Sequence, residues 1–202
     1  MFFDTTQIAP RQNYQLLTGG VLPRPIAWVS TLGKNGVANL APYSFFTVAS
    51  CNPPVLCVVQ VTPANQLNKD TLTNLKDTSE CVVNVVSQPL LDAMNISCAT
   101  FPPEVDEFEK AGLEKSKSHT VAAPGVKAAL VRYECKLREL QTISGLPTGG
   151  TLMLLDVTGI EVADHAIAEG QIDPAVLQAV GKMGGDLYST TDQRLELPRP
   201  RV

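Results

Sequence analysis

The chain has 202 residues, 44% of them hydrophobic and 18% charged, and a formal net charge of −4. This is an ordinary globular composition, long enough to bury a core without staples, and it lacks the clustered Lys and Arg of a nucleic-acid-binding face. The five cysteines contain no C-x-x-C pair, MFFDTTQIAP carries no basic-then-apolar leader, and no apolar run reaches the roughly 18–20 residues of a membrane helix. A single domain spanning 1–202 is expected, in a reducing, cytoplasmic setting and away from membranes.

Pro10 to Leu17 reads as a short helix, with Pro10 suited to the first helical position and Gly19 or Gly20 to the stop. PIAWVST, LGKNG and VANLAPYSFF then read as a strand, a turn built on Asn35-Gly36, and a second extended run. After Pro53-Pro54, VLCVVQV is apolar on both faces and reads as a buried strand. KDTLTNLKDTSE reads as a helix with Leu72 and Leu75 on one face, and Asn68 or Asp70 could cap it. CVVNVVS is another buried strand and PLLDAMNISC a helical stretch; residues 101 to 127 are irregular apart from a short acidic helix at EVDEFEKAG.

Ala128 to Leu140 alternates, with Val131, Tyr133, Cys135 and Leu137 on one side and Arg132, Glu134, Lys136 and Arg138 on the other. That is the pattern of a half-exposed antiparallel strand. Thr151 to Val162 follows as a second long strand, Asp173-Pro174 opens a helix over PAVLQAVGKM, and Gly184-Gly185 ends it. Strands dominate, and hairpin signals outnumber β-helix-β alternation. The expected fold is mainly β with flanking helices, an antiparallel barrel with helices packed outside.

The motifs narrow the chemistry. No G-x-G-x-x-G, P-loop, H-E-x-x-H or G-x-S-x-G is present, and the two histidines, His119 and His165, read as solvated loop residues, so no metal site is expected. Cys51 or Cys98 could be a nucleophile, but a packed thiol is the plainer reading of each. Thr31, Asn39, Ser44, Thr47 and Ser50 cluster around the first hairpin, and Lys69-Asp70-Thr71 opens a helix. A helix start offers free N–H groups and partial positive charge, so Lys69 and Thr71 make a reasonable phosphate pocket there. A capped helix with Lys69 in solvent explains the same residues.

LPRPIAWVSTLGKNGVANLAPYSFFTVASCNPPVL strongly resembles the flavin reductase-like family with the FMN-binding split barrel. KDTLTNLKDTSECVVNVVS and MGGDLYSTT resemble the family's next and closing blocks, so the likeness runs from about Tyr14 to Thr191. The resemblance implies a six-stranded antiparallel Greek-key split barrel, a homodimer, and FMN near the subunit interface. It implies that Ser30, Thr31 and Leu32 line the isoalloxazine, that Asn39 and Ala41 meet its polar edge, and that Ser44 and Ser50 lie by the ribityl chain and phosphate. Lys69, Asp70 and Thr71 would hold the phosphate end, and Tyr188 would approach the ring. No catalytic side chain is required, because flavin N5 carries the chemistry. The implied function is an NAD(P)H-dependent oxidoreductase delivering electrons to a small acceptor: free flavin, a ferric complex or a nitroaromatic-type oxidant. A partner oxygenase is a further implied recipient. An FMN electron carrier without an NAD(P)H site, and a barrel that has lost its flavin, stay open beside it.

Overall fold

Seven strands form one antiparallel sheet in the computed structural model, which describes residues 1–63 and 69–200. They are β1 (Ala27–Leu32), β2 (Ala38–Tyr43), β3 (Phe46–Cys51), β4 (Pro54–Val61), β5 (Glu80–Val85), β6 (Val131–Thr142) and β7 (Gly150–Val162). The sheet order is β2-β1-β5-β6-β7-β4-β3. Its two edges, β2 and β3, are consecutive in the chain and joined only by Ser44-Phe45, so the sheet curls into a barrel. The N–H of Val59 on β4 donates to the Phe45 carbonyl at 2.8 Å across that junction. VANLAPYSFF is therefore two strands and not one run, and the sheet has seven strands where six were expected.

The β1–β2 turn forms as its sequence dictates. Gly33 N donates to Val37 O and Gly36 N to Gly33 O, both at 2.9 Å, and Gly36 takes a φ of 79°, which a side chain would oppose. Ala27 and Val29 face inward, meeting Leu56, Val58, Val83, Met153 and Leu155 in the barrel interior. Helix α1 (Pro10–Gly20) precedes the barrel, and α2 (Asp70–Thr78) packs Leu72 and Leu75 into the interior cluster. The opposite faces of β1 and β2 build a second core: Trp28 and Leu40 pack with Met94 of α3 (Leu91–Ile96) and Phe108 of α4 (Glu107–Lys110). Trp28 is fully buried, and its Nε1 donates to Ser97 Oγ at 2.9 Å. This outer layer fixes residues 97–107 beside β2.

Three expectations need correction. Asp70 is the first helical residue of α2 and not its cap; Lys69 holds the cap position, without a side-chain capping bond. The other candidate cap, Asn68, lies outside the described residues. The helix expected over PAVLQAVGKM is one turn, α5 (Pro174–Leu177). Asp173 caps it through Ala175 N at 2.7 Å, but Gln178 turns left-handed at φ 47°. Ala179 then bridges to Ser87, and Gly181–Lys182 pairs with both Arg24–Pro25 and Tyr188–Ser189. Tertiary pairing overrides the local helical pattern. Finally, the charged side of β6 is not all solvated. Arg132 donates to the carbonyls of Val126, Lys127 and Ala129 at 3.0–3.1 Å and pairs with Glu161. Glu134 accepts from the N–H groups of His119 and Thr120. The 118–129 segment covers these two residues and supplies the bonds their burial requires.

Candidate functional site

A groove follows β2 from Asn39 to Ser44. One part, about 290 Å³, is lined by Asn39, Ala41, Lys69 and Asp70 on one side and by Cys98, Phe101, Pro103 and Glu107 on the other. Through Cys98 it meets a 110 Å³ cleft bordered by Ser44, Met94, Lys182 and Tyr188. Through Lys69 it meets a 190 Å³ cleft bordered by Tyr14, Tyr43, Ser44 and Gln60. The far wall exists because Trp28 ties down Ser97 and because Phe108 anchors α4 in the outer core.

At the centre lies the start of α2. Lys69 is extended, at φ −72° and ψ 151°, and its carbonyl accepts from Leu72 N at 3.0 Å and Thr73 N at 3.3 Å. No described residue accepts from the N–H of Asp70 or Thr71. Lys69 Nζ lies 5.3 Å from the centroid of the Tyr43 ring. Crowding by protein lowers the Lys69 ammonium's pKa, and Cys98 opposes that effect. Thr71 is buried, with its hydroxyl 2.8 Å from the Asn39 amide. Tyr43 is 6% exposed, and its hydroxyl makes no hydrogen bond although Thr71 lies against it. Burial pushes the phenol's pKa well up, with Thr71 opposing and Asp70 and Glu107 adding to the rise. Gln60 Oε1 is likewise buried without a partner. Buried polar atoms are normally paired, so two orphans beside one groove are exceptions.

The groove is not uniformly basic. Burial raises the carboxyl of Asp70, and Glu104 raises it further. Glu107 is 5% exposed and accepts from Leu40 N at 3.1 Å, capping the free edge of β2. Burial raises its pKa, the N–H donors lower it, and Asp70 and Asp106 raise it again.

Of the residues expected at the site, Asn39, Ala41, Ser44, Lys69, Asp70 and Tyr188 line this groove, and Thr71 lies beneath it. Ser30, Thr31, Leu32 and Ser50 line none of its three parts. Ser30 points outward and donates to the Pro124 carbonyl at 2.5 Å. Thr31 accepts from Asn74 of α2 at 2.9 Å, and Leu32 packs into the outer core. Ser50 sits on β3 and accepts from Asn52 N at 3.3 Å. Sequence reasoning missed Glu107, Gln60, Lys182 and the Cys98–Pro103 wall. Glu107 stood in what reads as a short acidic helix, and nothing in the sequence marks it as buried. Elsewhere, ligand atoms of His119, Glu134 and Glu161 lie within 4.8 Å of one another. Their carboxylates are already engaged by Arg132 and the backbone, so no metal role follows. No described helix is long and apolar enough to cross a membrane.

Comparison with known proteins defines the class to which this barrel and groove belong. The profile of the flavin reductase like domain matches residues 19–185, so the chain belongs to the flavin reductase-like family. It is 35% identical to the uncharacterized protein BH2278 of Halalkalibacterium halodurans, covering 100% of this chain and 98% of that one. It is 41% identical to an uncharacterized protein of Aquifex aeolicus, covering 87% and 88%. Among solved structures, nitrilotriacetate monooxygenase component B from Bacillus cereus superposes with a TM-score of 0.92 at 32% identity, covering 98% of each chain. The 2-nitrobenzoate 2-nitroreductase NbaA of Pseudomonas fluorescens superposes with a TM-score of 0.89 at 28% identity, covering 99% and 96%. The barrel is the split barrel of this family, and the family's chemistry is flavin-linked redox.

Proposed function

We infer that the groove along β2 holds FMN and that the protein is an NAD(P)H-dependent oxidoreductase serving a small acceptor. The observation that carries this reading is the meeting of three features at one point: the start of α2, the Lys69 ammonium, and the buried, unpartnered Tyr43 hydroxyl. Helix N-termini attract phosphate, and an ammonium and a phenol O–H complete a donor set for it. The donors fit a flavin nucleotide. Lys69, Thr71 and Tyr43 would hold the phosphate end, Ser44 the chain next to it, and Asn39 and Ala41 the polar edge of the ring, with Tyr188 closing the far end. Small side chains at Ala41 and Ala99 leave room for a flat ring.

Bound flavin supplies reversible hydride and electron transfer; the side chains orient it and screen it from water. No acid or base is needed from the protein for hydride uptake, which agrees with the exposed positions of both histidines. A homodimer belongs to the same reading. Delivery of reduced flavin to a separate oxygenase is one route for the electrons; the Bacillus cereus neighbour is itself component B of a nitrilotriacetate monooxygenase.

Purified protein incubated with FMN should show flavin absorption bands that bleach on anaerobic addition of NADH or NADPH, and an acceptor screen then identifies the oxidant. Failure to bind FMN ends the reading. Binding without bleaching makes the protein an electron carrier instead. Lys69→Ala should weaken FMN binding by about 1–3 kcal/mol and leave riboflavin binding nearly unchanged, as titration of both ligands would show.

A further inference from the structure

Glu107 is a buried carboxylate in the groove wall that no sequence motif announces. It reaches β2 from α4, where Asp106 caps the helix start by accepting from Phe108 N at 2.9 Å. One oxygen, Oε2, takes the edge-strand N–H of Leu40. The other faces Asn39.

The orientation of the Asn39 amide follows from its surroundings. With Nδ2 towards Glu107, Nδ2 donates to Glu107 Oε1 at 3.3 Å, and Oδ1 accepts from Thr71 Oγ1 at 2.8 Å and from Leu40 N at 3.2 Å. The reverse orientation would set a carbonyl oxygen against a carboxylate oxygen. The carboxylate, which when ionised can only accept, therefore dictates the direction of the whole chain: Asn39 donates to Glu107, and Thr71 donates to Asn39. The amide has a second N–H that makes no bond to a described residue in this arrangement, and Asn39 borders the groove.

We propose that Glu107 is a positioning residue of the flavin groove, acting through Asn39 to keep an amide N–H, and not a carbonyl, turned towards the ligand. The proposal rests on the reading that the groove holds flavin. Capping Leu40 alone would make Glu107 a structural residue. Fixing Asn39 makes it a determinant of what the groove recognises: an acceptor edge such as the carbonyl-bearing side of an isoalloxazine.

A double-mutant cycle tests this, with flavin dissociation constants from fluorescence quenching, the absorption bands of bound flavin, and melting temperatures. Glu107→Gln can offer Asn39 either an oxygen or an N–H, so the amide loses its fixed direction. Affinity should fall roughly tenfold, the worth of one oriented hydrogen bond. Asn39→Ala should cost about as much, shift the bands in the same sense, and leave the double variant no weaker than either single one. Losses that add, or a Glu107→Gln variant that binds like the parent, overturn the proposal.

Exchanging the partners, Asn39→Asp with Glu107→Gln, restores a hydrogen bond of opposite direction but leaves position 39 without a donor. Melting temperature should return towards that of the parent while affinity stays low. Recovery of affinity would show that Glu107 serves the fold alone. Parent protein that binds no flavin would instead overturn the underlying reading of the groove.

Discussion

Burial raises the carboxyl of Asp70 above its ordinary 3.8, and Glu104 raises it further, at the point where a phosphate dianion is proposed to sit. An acidic side chain in the first turn favours the helix but opposes an anionic ligand. Asp70→Asn should therefore tighten FMN binding by roughly three- to tenfold while leaving riboflavin unaffected, because partly screened charges interact at about this strength. Paired titrations check it, and an equal effect on both ligands would place the phosphate elsewhere. Glu107 carries a second titration. Its folded pKa lies above the ordinary 4.5 because burial dominates, with Asp70 and Asp106 adding to it; Lys115, near enough to neutralise Asp106, pairs with that residue. The folded state thus holds this proton more tightly than the unfolded chain. Whatever Glu107 contributes to stability is greatest at acid pH and falls as pH rises through its folded value. The melting temperature of the apoprotein should drop relative to Glu107→Gln as pH climbs above 4.5, and parallel curves for the two proteins would refute the shift.

The wall of the groove is only as firm as the outer layer behind it. Ser97 accepts from the buried Trp28 indole, and its own O–H donates to the Met94 carbonyl at 2.7 Å. Ser97→Ala leaves an indole N–H unpaired in a dry core, a loss of about 1–3 kcal/mol, and should lower the melting temperature by roughly 2–10 °C for a chain of this size. A scanning-calorimetry change below that range would mean that the segment relaxes to water. This coupling shows where the sequence was readable and where it stopped. The β1–β2 hairpin was legible because Asn35-Gly36 encodes its turn locally, and α2 because Leu72 and Leu75 recur at helical spacing. The one-turn α5 was not, since Gln178 and Ala179 obey a ladder to Ser87 about ninety residues away. Residue chemistry at Lys69 and Thr71 was visible from the helix start alone. Glu107, Arg132 and Glu134 were not, because only chain segments distant in sequence bury them and supply their hydrogen bonds.

Closing the barrel through the bent β2–β3 segment leaves β3 with a paired side and an outward face. Thr47, Val48 and Ala49 are all exposed there, and Val48 is 60% accessible. Ile160 on β7 is 61% accessible, and Phe2, Val21 and Leu187 are more exposed still. Single exposed apolar residues are unremarkable, but an open edge strand carrying one is a pairing hazard that folded proteins cover. A second copy of the chain laid along β3 would cover it, close beside a groove whose Ser44 begins the same bend. The dimer proposed with the FMN site then has a specific footing: sedimentation at micromolar concentration should give twice the monomer mass, and Val48→Lys should shift it towards one. If the charge leaves the mass unchanged, the copies meet on another face. If the shifted monomer also loses flavin, the groove needs its partner to hold the cofactor, and the two proposals stand or fall on one interface.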